Sequence, residues 1–164
     1  SPNITWASTA SAVDTDTSVP LHLEVWSGVA TSASAGTTTV TYSGSVSSKT
    51  IELIGDSFHY GAAGTWGLVT GGGTNGSSST IAFPSLTSAA SSAGGGGGGV
   101  YVGYSRVASS YSGGVTAGFA GYGTPMGNVE IRGVSLAPST AYAPTATQSS
   151  SGRYTSIGAI FAAG

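Results

Sequence analysis

Apolar residues in this chain recur at every second position, in short runs closed by glycine or serine, and no other feature limits the fold so strongly. In Leu21-His22-Leu23-Glu24-Val25-Trp26, Leu21, Leu23 and Val25 share one side of an extended backbone, and His22, Glu24 and Trp26 share the other. Successive strand side chains point to opposite faces, so the run reads as a strand with one buried face. The same reasoning predicts strands over residues 37–43, 49–54, 66–70, 79–83, 100–107, 115–120, 128–136 and 154–161. Gly or Ser clusters bound nearly all of them, as hairpin and Greek-key connections require. No capped stretch of helical period is present; residues 85–92 offer one turn of helix at most, stopped by Gly94 to Gly99. Eight or nine short strands without helical crossovers predict an all-β chain. The expected form is an antiparallel β-sandwich, jelly-roll-like, in one domain spanning 1–164.

Two features bear on organisation within that domain. The segment from Ser47 to Ile54 parallels the one from Ser151 to Ile160: turn residues and one basic residue, Lys49 or Arg153, lead into an apolar strand. Two similar halves with a boundary near 94–99 would account for the echo, and so would chance in a Ser/Gly-rich β chain. Gly94 to Gly99 form six consecutive glycines. They read as a tolerated surface loop tip; the functional reading is a hinge or a close backbone approach between subunits.

Only ten of the 164 residues carry a formal charge, while Ser, Thr and Gly supply 78. Globular domains usually carry about a quarter charged residues. Catalysis, metal binding and nucleic-acid binding all draw on the scarce types. Three Trp, eight Tyr and four Phe separate the chain from disordered sequences of similar polarity. The absence of Cys excludes a disulfide scaffold and a thiolate metal site. With a net charge of −2, and with Lys49, Arg106, Arg132 and Arg153 scattered, nucleic acid is not an expected partner. No apolar run approaches the roughly 20 residues that span a bilayer, so membrane insertion is not expected either. The chain starts Ser1-Pro2-Asn3, without Met or a leader pattern, and is expected to be a piece of a longer or processed polypeptide.

Ile54-Gly55-Asp56-Ser57 follows an apolar run and resembles the first block of the GDSL/SGNH hydrolases, which implies Ser57 as nucleophile. Those enzymes take their base from a late Asp-x-x-His, but no Asp follows Asp56 and no His follows His59. Without a base the hydroxyl stays protonated and weakly nucleophilic, so a strand-ending turn is the expected role. Asp14 and Asp16 are the only close acidic pair and could share a cation with backbone carbonyls, though no third nearby acid completes the set. Glu52 and Glu130 stand alone within strands, and His22 and His59 lack metal-ligand spacing. Asn3-Ile4-Thr5 and Asn75-Gly76-Ser77 match the glycosylation acceptor pattern, which is frequent by chance here.

Tyrosines concentrate in the second half of the chain. Tyr101, Tyr104, Tyr111 and Tyr122 are the candidate contact residues for a glycan or a protein partner, since a flat aromatic platform on a sandwich holds sugars by ring stacking. The competing reading is that Tyr suits strands, burying its ring while its hydroxyl stays wet.

Trp6, the run from Leu21 to Ala30, Gly36 to Thr41, Ile51 to Ile54, Gly99 to Tyr104 and Ser156 to Phe161 follow one another in an order of β-type segments. That order resembles Gly/Ser/Thr-rich β-sandwich domains of phage virion proteins, especially minor tail and decoration-type proteins of actinobacterial phages. The resemblance implies two similar halves, each opening with a Gly-x-apolar-x-apolar strand, as seen at Val100 to Tyr104. The first half's counterpart should precede Trp6, where only five residues stand; it is either missing or supplied by another chain. The expected function is a non-enzymatic structural or surface module of a virion or extracellular assembly. It would pack against other virion or surface-assembly proteins as a homo-oligomer and use no cofactor. A carbohydrate-binding module with a host-surface glycan as ligand is the alternative, and a GDSL-like esterase a distant third.

Overall fold

The computed structural model describes residues 4–14, 21–30, 39–41, 43–45, 66–91, 97–124, 127–133 and 135–164. They form an antiparallel all-β structure consistent with a sandwich, and no α-helix occurs among them. The strands are β1 Ile4–Asp14, β2 Leu21–Ala30, β3 Trp66–Ala82, β4 Leu86–Thr87 and β5 Val100–Val107, then β6 Tyr111–Gly113, β7 Phe119–Gly123, β8 Val129–Gly133, β9 Ala141–Tyr142 and β10 Thr145–Ala163. The main sheet runs β3-β10-β5-β8-β7, with β6 beside the first residues of β10. β1 and β2 form a separate ribbon, and β4 pairs with β9.

β10 organises the sheet. Every residue from Tyr154 to Ile160 is buried, as a strand covered on both faces requires. Its neighbours are β3, from Gly152 opposite Ser78 to Ala163 opposite Trp66, and β5, from Tyr154 opposite Val107 to Phe161 opposite Val100. Since β3 precedes the glycine run and β10 ends the chain, one sheet joins the segments on either side of residues 94–99. The β1–β2 ribbon lies over one face of β3 and β10. The opposite face carries the main core of Ile81, Phe83, Leu86, Tyr101, Val129, Ile131 and Ile160.

Glycine lets these layers approach. A Cβ on Gly71 would stand 2.7 Å from the Thr9 carbonyl and 2.9 Å from the Ala10 Cβ, and one on Gly73 would meet Ala12 and the Ser11 carbonyl at 2.7 Å. On the core face Gly72, Gly158, Gly103, Ile131 and Gly121 lie in register across five strands. The Tyr101 ring lies over this row: a Cβ on Gly158 would stand 2.8 Å from its Cζ, and one on Gly103 3.1 Å from its Cε1.

The strands predicted at 66–70 and 79–83 prove to be one, because Gly71 to Gly73 continue the ladder. Leu86 and Thr87 form a strand in place of the one helical turn that 85–92 could offer: they pair with Tyr142 and Ala141, and Ser88 Oγ accepts from the Thr140 amide at 2.9 Å. The strand expected at 115–120 starts at Phe119, because Phe119 N–H donates to the Thr116 carbonyl in a turn with Gly118 at φ 86°. That of 128–136 ends at Gly133. Residues 39–41 and 43–45 are not in a strand, and 49–54 lie outside the described residues. Nor does the end of the glycine run behave as a loop tip. Gly98 and Gly99 are buried, and Gly98 donates to the Leu136 carbonyl at 2.5 Å. Gly97 and Gly99 hold φ of 61° and 106°, a region L side chains rarely enter.

Candidate functional site

The four tyrosines singled out from sequence divide between the two faces of the sheet. Tyr101 is fully buried beneath Phe83 and Pro84; its hydroxyl donates to the Pro84 carbonyl at 2.9 Å, and burial pushes its pKa upward. Tyr111 lies on the same side, half-buried, with its hydroxyl against Gly121. Tyr104 and Tyr122 occupy the other side, where they flank Glu130: the register sets Tyr104 of β5 and Tyr122 of β7 on either side of Glu130 in β8.

This second face is held by charge. Glu130 is 5% exposed, and Arg132 Nε donates to its Oε1. The pair sits at alternate positions of one strand, so both side chains emerge on one face. The Arg132 guanidinium carbon stands 5.3 Å from the centroid of Tyr122, whose residue is 50% exposed. Such a cation over an aromatic face is attractive and orients the ring. The arrangement can present a fixed phenol edge to a partner, while the carboxylate is committed to the arginine. A contact role for the tyrosines thus rests on Tyr104 and Tyr122.

The Gly-Asp-Ser motif, with Asp56, Ser57 and His59, lies outside the described residues, as do Asp16 and Glu52. Among the described residues no three of His, Asp and Glu come together to hold a metal, and no helix is long and apolar enough to cross a membrane. An open hollow of about 440 Å³ is lined by Asn75, Gly76, Ser77 and Arg153. Asn75 turns its amide nitrogen to the Val13 carbonyl at 3.2 Å, which ties this potential glycosylation residue to the ribbon.

A second aromatic surface, not evident from the sequence, lies on the ribbon. On the outer face of the β1–β2 ribbon Trp6 is 37% and Trp26 51% exposed. Trp26 Nε1 donates to Glu24 Oε2 at 2.9 Å, and His22 Nε2 lies 3.4 Å from Glu24 Oε1. The alternation of 21–26 already places His22, Glu24 and Trp26 together. Trp6 joins them only through β1, whose Ser/Thr/Ala-rich sequence lacks a clear apolar period.

No family model, curated protein or solved structure matches the chain.

Proposed function

We propose that this chain is a non-enzymatic structural or surface module, built to be packed into a larger assembly such as a phage particle or an extracellular fibre. The observation that carries this reading is β3. It stands at one end of the main sheet, runs for 17 residues, and contains no charged residue and no proline. Among the described residues its only strand partner is β10. Edge strands are normally short or protected by charge, proline or bulges, because open backbone groups recruit another chain. A long uncharged edge suits one that is covered in the working state, and strand addition is a recognised mode of assembly. The second copy or neighbouring subunit would extend the sheet beyond β3, with exposed Leu68 and Val69 adding apolar contact.

Sedimentation of the purified chain over a rising concentration series tests this. Self-association is expected, and Leu68→Lys combined with Ser79→Lys should shift it toward monomer while the β-sheet circular dichroism is retained. A chain that stays monomeric at the highest concentration, or associates equally well with both lysines present, defeats the reading.

A further inference from the structure

We propose that the outer face of the β1–β2 ribbon is a binding site for a neutral oligosaccharide of hexopyranose units, with Trp26 and Trp6 as stacking platforms. The register puts Trp6 opposite Gly28 and Trp26 opposite Ser8. The two indoles are therefore diagonal neighbours on one face, roughly 7–8 Å apart at the backbone. Gly28 places no side chain beside Trp6. Trp26 is tethered through its indole N–H to Glu24, and His22 approaches the carboxylate from the other side. A ring held in this way loses little further freedom when a ligand stacks on it, which favours binding.

The chemistry of the face selects the ligand. An aromatic ring with an apolar body and a hydrogen-bonding edge matches a pyranose, whose C–H face is apolar and whose rim carries hydroxyls. Ser8 and Ser11 on this face supply hydroxyls beside the tryptophans, and Val13, opposite His22 and 52% exposed, is the further large apolar side chain among them. The Glu24 carboxylate accepts hydrogen bonds from hydroxyl donors and repels anions. No Lys or Arg lies in either strand, and the His22 imidazole already faces the Glu24 carboxylate, so acidic sugars would find little counter-charge. Neutral sugars satisfy both conditions. The site is separate from the β3 edge and does not depend on assembly through it.

Native gel electrophoresis through matrices containing laminarin, mannan, galactan or hydroxyethylcellulose, one at a time, provides the test, with alginate and heparin as charged controls. At least one neutral polysaccharide should retard the chain. Trp26→Ala should weaken that retardation by about tenfold or more, as truncation of a central aromatic anchor does, with a smaller loss for Trp6→Ala. Trp26→Phe should retain part of the binding, which separates stacking from loss of fold. Tyr122→Ala, on the other layer, should leave it unchanged. Absence of retardation by all four neutral polymers overturns the proposal. So does binding that survives the double tryptophan variant, or a tryptophan variant whose only effect is on self-association.

Discussion

Tyr101 shows how single residues set this fold. Its ring needs the space that Gly103 and Gly158 leave open, and its hydroxyl needs the Pro84 carbonyl. A tyrosine laid over one glycine of its own strand and one of the next restores the cover those glycines cannot provide. Replacing it by Phe removes the donor and leaves a buried carbonyl without that partner, so Tyr101→Phe should cost about 1–3 kcal/mol in denaturant unfolding. The pH dependence has a definite sign. Burial raises the folded-state pKa, so the neutral phenol is favoured in the native chain. Its contribution is complete below the ordinary phenol value of about 10 and is lost as pH rises beyond it, because the unfolded chain then releases the proton more readily. The stability gap between the parent chain and Tyr101→Phe should therefore narrow above about pH 10. A gap that stays constant there would show that Tyr101 ionises alike in both states, and one that widens would show that the folded chain favours the phenolate.

Two elements meet where the ribbon lies on β3, and glycine sets their separation. Gly73→Ala would press a methyl into Ala12 and the Ser11 carbonyl, mostly backbone that cannot rotate away. A loss of about 1–3 kcal/mol is expected, with amide exchange quickening in β1 and β2 while β5 and β8 keep their protection. Gly67→Ala is the control, since nothing lies within 4 Å of its Cβ position, and it should be neutral or slightly stabilising. The bend of β10 is a second device at this scale. Residues 148–151 oppose Ser79 alone, a bulge filled by the buried Gln148 side chain. Its Nε2 donates to the Ser78 and Gly152 carbonyls at 2.5 and 2.7 Å, and its Oε1 accepts from Ser109 N–H at 3.0 Å. These bonds replace the ladder that the bulge interrupts. The legibility of each element follows from this physics. β2, β5 and the second half of β10 have apolar alternation or continuous apolar runs, and their positions were plain in the sequence. The sequence reads β3 as two strands because Gly71-Gly72-Gly73 looks like a breaker, when tertiary contact is what calls for glycine there. β1 carries no legible apolar period because it buries alanines against that same glycine track. The exposed tryptophan pair is not legible in the sequence for the same reason, since its geometry depends on the pairing of β1 with β2.

The whole molecule is polar without being charged. Charge is sparse across it, and Glu24 and Glu130 each have a local partner, His22 and Arg132. Self-association through such a surface would draw on backbone hydrogen bonds and on apolar groups such as Leu68 and Val69. Neither depends strongly on mobile ions, whereas contacts between opposite charges weaken once the screening length falls below their separation. Association measured by sedimentation should accordingly change little between about 50 mM and about 500 mM salt, a range over which the screening length shrinks roughly threefold. The apolar share of the contact predicts slight tightening in sulfate, which is excluded from protein surfaces, and weakening in urea. A steep loss of association with sodium chloride would instead assign the interface to the few charged residues, Arg106, Arg132 and Arg153 among them, and would move the assembly surface from the edge of β3 to the face that carries Glu130.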